Sequence, residues 1–129
     1  MVTLAEIDAV HEQLGKADTL DAYCHALADL GVTGYDSYVF DGHTVFHLNS
    51  GDDLVTPAHH DLVEVATEPD HAAVHTVLGR AEAGELGYVE MSELLGAAGL
   101  ERWSVDTRQL VMTYVDVHGE AALVEHLST

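Results

Sequence analysis

Apolar residues recur at helical spacing in four stretches of the chain. Thr3, followed three residues later by Glu6, forms a capping-box pair; Leu4, Ile7, Val10 and Leu14 then share one stripe, predicting a helix that stops at Gly15. A second helix is predicted from Thr19, with Leu20, Tyr23, Leu27 and Leu30 on one face and Gly31 where a left-handed C-cap is needed. Glu68-Pro69-Asp70 opens a third, with proline in the first turn and aspartate at the positive end of the helix dipole. Its buried stripe is Val74, Val77, Leu78 and Ala81. Gly84 and Gly87 then break the chain, and a fourth helix carries Tyr88, Met91, Leu94, Leu95 and Ala98 before Gly99.

The remaining apolar segments read as strands. Residues 32–40 and 43–48 are rich in Val, Tyr, Phe and Thr, and Asp41-Gly42 between them predicts a two-residue hairpin turn with positive backbone angles. Residues 49–53, NSGDD, read as a loop, and residues 59–66, HHDLVEVA, as a third strand. ERWSVD, QLVMTYVD and EAALVEHL complete the chain as three more strands, the last two separated by a turn at His118-Gly119. Two helices and three strands therefore occur twice.

The repetition extends to single residues. A shift of 68 carries Leu20, Tyr23, Leu27, Leu30 and Gly31 onto Tyr88, Met91, Leu95, Ala98 and Gly99, and carries Tyr35 to Trp103 and Phe46 to Tyr114. The first helix fits better at 67 and the last strand at 61, where Leu62-Val63-Glu64 meets Leu123-Val124-Glu125. Strands joined by short turns pair antiparallel, and amphipathic helices must cover their stripes on something. The expected fold is α+β: one domain over residues 1–129, built as two ααβββ halves at about 3–66 and 69–127. The halves are expected about a pseudo-two-fold axis from an internal duplication, with an antiparallel sheet and helices packed on it.

Two segments, GVTGYDSYVFDG in the first half and GLERWSVDTRQLVMTYVDVHGEAALVEHL in the second, carry a resemblance to the YbcV-like proteins, a domain-of-unknown-function family sometimes labelled "phage envelope protein". The likeness runs from about Leu20 to the end, with Leu100 where valine is usual and Phe46 where tyrosine is common. It implies a small α+β protein and leaves the function open. An envelope role conflicts with a chain that has no membrane segment and an acidic surface.

Charge narrows the partners. The sequence holds 23 Asp plus Glu against 4 Lys plus Arg, a formal net of -19, and its one lysine is Lys16. Such a field repels nucleic acid and anionic lipid. Acids scattered over a lysine-poor chain resemble salt-adapted surfaces, and a GC-rich coding bias would leave the same mark. No apolar run approaches the roughly 20 residues of a membrane span, and MVTLAEIDAV has acids where a signal peptide has bases, so a cytoplasmic protein is expected. The single Cys24 falls among apolar helical neighbours and is expected in the core.

Candidate chemistry is sparse. His71 and His75 have the i, i+4 spacing of metal-binding helices, but the glutamate of HExxH is missing. His59 and His60 point to opposite sides of a strand, and His43 and His47 share a face without a third ligand. No metal or cofactor is assigned, and exposed polar histidines are expected. Neither a nucleophile elbow nor a phosphate loop is present. The best constellation is aromatic plus charged: Tyr35, Asp41 and His43 in one half, and Trp103, Asp106, Arg108 and Tyr114 in the other. Arg102 and Arg108 are expected to ion-pair internally or to grip an anion. Glu64 and Glu125, at matching strand positions, are expected either to be solvated or to face each other across the axis with one pKa raised. The leading functional reading is a non-enzymatic binding or self-associating domain, a homodimer through its strand edges. The competing reading is a small-molecule sensor or enzyme with its pocket between the halves.

Overall fold

A computed structural model of the chain describes residues 2–14 and 19–127; the helix stop at Gly15 lies outside the described residues. Helices α1 (Leu4–Leu14) and α2 (Leu20–Asp29) precede strands β1 (Val32–Tyr38), β2 (Thr44–Leu48) and β3 (Asp53–Val55). Helices α3 (His71–Glu82) and α4 (Tyr88–Ala97) precede β4 (Leu100–Asp106), β5 (Val111–Asp116) and β6 (Ala121–His126). All six strands form one antiparallel sheet in the order β3-β2-β1-β4-β5-β6, so the fold is α+β, as the apolar pattern predicts. Gly31 and Gly99, at φ 92° and 78°, supply the left-handed residue after α2 and α4 that a side chain would disfavour.

The four helices cover one face of the sheet. Ile7, Leu27, Val74 and Leu95 from the helices are buried with Tyr35, Phe46, Met112 and Tyr114 from the strands. Cys24 lies fully within this core. At the centre of the sheet β1 meets β4, with Asp36 opposite Ser104; a Cβ on Gly34 would stand 2.7 Å from the Val105 carbonyl, so only glycine fits there. A register shift between Val32 and Gly34 in the β1·β2 ladder recurs between Leu100 and Arg102 in β4·β5.

Four expectations change. Residues 59–66 do not form a strand, and the third strand of the first half lies earlier, at Asp53–Val55. The alternation in LVEVA is present, with Val63 and Val65 partly buried and Leu62 and Glu64 exposed. It arises because the segment runs between the β1–β2 loop and α4: Val63 N–H bonds to the Phe40 carbonyl in the loop and Ala66 N–H to the Gly96 carbonyl in α4. Glu64 and Glu125 are therefore not at matching strand positions. Second, the hairpin at Asp41-Gly42 is a longer loop over residues 39–43, because only Gly42 has positive φ (78°) and the Asp41 carboxylate takes the His43 N–H as in an Asx turn. Third, Pro69 precedes the N-cap of α3 rather than occupying its first turn; Asp70 is the cap and accepts from Ala73 N–H. Fourth, most of the histidines read as exposed and polar hold specific partners, described below.

Candidate functional site

Strand pairing sets two aromatic couples side by side on the helix-covered face. Tyr35 lies opposite Phe46 with ring centroids 5.6 Å apart, and Trp103 opposite Tyr114 at 6.4 Å. Tyr23 of α2 meets Tyr35 edge-on at 6.1 Å, and His11 of α1 meets Tyr23 at 5.6 Å. These rings border a cleft of about 620 Å³, walled by α1, α2, β1 and β2 from the first half and by α3, α4, β4 and β5 from the second. Tyr88 and Asp8 stand in its wall with Ser37, Thr44, Thr56 and His59.

Three tyrosine hydroxyls give the cleft its chemistry. Tyr23, Tyr35 and Tyr114 are 4%, 7% and 8% exposed and line the space, yet none of their hydroxyls has a hydrogen-bond partner among the described residues. Burial raises all three phenol pKa values well above the ordinary range, with nearby Asp8 adding to the effect at Tyr23, and Glu125 and Glu82 at Tyr114. The phenols are therefore neutral at physiological pH, each able to donate one hydrogen bond and accept others. Apolar aromatic walls around a few convergent polar groups are the usual make-up of a small-molecule site.

Of the residues singled out in the sequence, Tyr35, Trp103 and Tyr114 border the cleft, and Asp41, His43, Asp106 and Arg108 do not. Asp106 follows Trp103 at odd spacing along β4, so the pleat turns it to the opposite face. There it accepts the backbone N–H groups of Arg108 and Gln109 and closes the β4–β5 turn. Arg108 is exposed in that turn. His43 stacks on Tyr38 at 4.6 Å and places Nδ1 2.6 Å from Asp41, which organises the β1–β2 loop. Backbone and side-chain bonds to His43 lower the Asp41 pKa against the opposing effect of its burial. Tyr23 and Tyr88 are legible in the sequence only as apolar stripe positions of helices, and Phe46 only as the repeat counterpart of Tyr114. For Tyr23 and Tyr88 the available signal is a hydroxylated ring where a pure core would carry Leu or Phe.

Two polar clusters lie outside the cleft. On the uncovered sheet face His47 spans Asp36 (Nε2, 2.8 Å) and Asp53 (Nδ1, 2.9 Å), and Asp36 also receives the Ser104 hydroxyl. Two carboxylates at the two ring nitrogens suit an imidazolium, and the hydrogen bond to Asp36 is the leading cause of a raised His47 pKa. Arg102 pairs internally, at 2.7 Å from Glu101 and 3.9 Å from Asp36, as one of its two expected roles had it. The second cluster, His71, Asp116 and Glu120, is the one group among the described residues whose ligand atoms are close enough to hold a metal. Its geometry serves the fold: Asp116 accepts His71 Nε2 at 2.7 Å with one oxygen and the N–H groups of His118 and Glu120 with the other. His75 turns away to the Ala122 carbonyl, so the i, i+4 pair has no common target.

No helix among the described residues is long and apolar enough to cross a membrane. A broader groove of about 1410 Å³ follows residues 58–68 along α4, but it is walled by Asp61, Glu64, Glu68 and Glu93 without a tyrosine, tryptophan or phenylalanine ring. Among curated proteins none matches the chain. Residues 8–126 match the family described as "Protein of unknown function (DUF1398)", a span covering nearly the whole sequence, and the chain belongs to that family.

Proposed function

We propose that the chain is a binding domain that takes a small molecule in the cleft between its helices and its sheet. The observation that carries this reading is that Tyr23, Tyr35 and Tyr114, with largely buried side chains, line one aromatic-walled space with no hydrogen bond from their hydroxyls among the described residues. A ligand entering the space gains orientation from such hydroxyls. The YbcV-like likeness and the internal duplication belong to the same reading. The duplication is supported by features 68 residues apart: the β1 and β4 bulges, the Tyr35–Phe46 and Trp103–Tyr114 couples, and the pairs His47–Asp53 and Val115–Ala121. On this view the cleft lies between two related halves, each lending one aromatic couple.

The test is a thermal-shift screen of metabolites against the wild-type chain and a variant carrying Tyr23→Phe, Tyr35→Phe and Tyr114→Phe. A ligand present at about 100 times its Kd raises the stability of the folded form by roughly 2.7 kcal/mol. Compounds that raise the wild-type Tm and lose that effect in the variant are the expected result. Hits that act equally on both proteins would place binding elsewhere. Self-association through β3 and β6 is a second reading, favoured by Val55 and Val124, which stand 55% and 48% exposed on the two edge strands.

A further inference from the structure

We infer that the cleft selects organic cations, amines carrying an aromatic or alkyl body, over neutral and anionic molecules of the same shape. The inference rests on the proposed binding role and adds the charge of the ligand. Six aromatic rings border the space, those of Tyr23, Tyr35, Phe46, Tyr88, Trp103 and Tyr114. Their faces are electron-rich and attract a positive centre, more strongly once water is displaced. Among the described residues no lysine or arginine lines the cleft, and the one carboxylate among them is Asp8, exposed on α1. His11 and His59 complete the titratable lining beside the tyrosines.

Acidity continues around the Tyr114 end. Glu125 lies opposite Met112, a cleft residue, in the β5·β6 ladder, and it acts together with Glu82 on the Tyr114 phenol. An anion entering here would meet Asp8, Glu82 and Glu125 without a fixed cation among the described residues, in a molecule of net charge -19. An ammonium group would instead find phenol oxygens free to accept its N–H bonds and ring faces to shield its carbon substituents. The whole-molecule field adds to this by concentrating cations near the surface.

Three probes of one size separate charge from shape: 2-phenylethylammonium, 2-phenylethanol and phenylacetate. Trp103 is the single tryptophan and borders the cleft, so its emission reports occupancy directly. The expected result is that the ammonium binds at least about tenfold tighter than the alcohol, as a desolvated cation–π contact allows, with no binding of the carboxylate. Asp8→Asn, an exposed change, should weaken the ammonium several-fold and leave the alcohol unaffected. Equal binding of ammonium and alcohol overturns the charge selectivity while leaving a ligand-binding cleft in place. If none of the probes binds but the screen yields a neutral or anionic hit dependent on the three hydroxyls, the inference is again wrong and the binding role stands. If the screen also yields no such hit, both fall.

Discussion

Tyr35 combines two roles that a hydrophobicity pattern cannot separate. Its ring packs against Phe46 and Tyr23 in the core, while the residue also lines the cleft with no hydrogen bond from its hydroxyl among the described residues. Tyr35, Trp103 and Tyr114 stand out in the sequence because they are aromatic and, with Phe46, recur at one spacing, and all three line the cleft. The charged candidates fell elsewhere because strand parity and turn closure govern Asp41, Asp106 and Arg108, and neither can be judged until the strand ends are known. His47 is also visible as a strand histidine, but its two carboxylates come from β1 and β3, and Asp53 of β3 lies in the stretch 49–53 that reads as a loop. Its folded pKa is raised above the ordinary 6.5, so its contribution is full below about pH 6.5 and is lost as pH rises through the folded value. The ring is 40% exposed, and solvent screening keeps that contribution under about 1 kcal/mol. Urea unfolding of wild type and His47→Gln at about pH 6 and pH 8 should show a stability gap that closes at the higher pH. A gap independent of pH would contradict the imidazolium assignment.

Helices and strands were legible where the apolar period was long and its end was marked by glycine. All four helices and five of the six strands lie where the pattern puts them. The failure at residues 59–66 is instructive, because alternate burial occurs in any extended segment with one side covered, and sequence does not say whether the cover is a sheet neighbour or a helix. Here α4 is the cover, and Gly96 is the point of contact: a Cβ there would lie 2.5 Å from the Glu64 carbonyl and 2.9 Å from Val63 Cγ1. Gly96→Ala should therefore destabilise the protein by roughly 1–3 kcal/mol, the usual cost of forcing atoms into a packed contact. Gly79, on the exposed side of α3 with nothing within 4 Å of its would-be Cβ, gives the opposite expectation. Gly79→Ala should stabilise by about 0.5–1 kcal/mol through helix propensity and lost unfolded-state freedom. Chemical denaturation of the two variants decides both, and equal signs would refute the packing of residues 62–66 on α4.

For the whole molecule, the excess of acid over base is large enough to matter for stability as well as for partner choice. With a net charge of -19 in 129 residues, self-repulsion opposes the compact state, and salt shortens its range from about 10 Å at 0.1 M to about 3 Å at 1 M. Tm should rise between 0.1 and about 1 M potassium chloride; an unchanged Tm would argue for coding bias rather than salt adaptation as the origin of the composition. The same field bears on the cleft, where the two halves bring their aromatic couples together and leave three phenols without hydrogen-bond partners among the described residues. That arrangement is the centre of the functional reading, and the unfolding free energy of the Tyr23→Phe, Tyr35→Phe, Tyr114→Phe variant tests it most directly. If the hydroxyls are held for a ligand, the unliganded variant will be within about 0.5 kcal/mol of wild type or more stable; a loss of about 1 kcal/mol or more per hydroxyl, the worth of a working hydrogen bond, would show that they serve the fold instead.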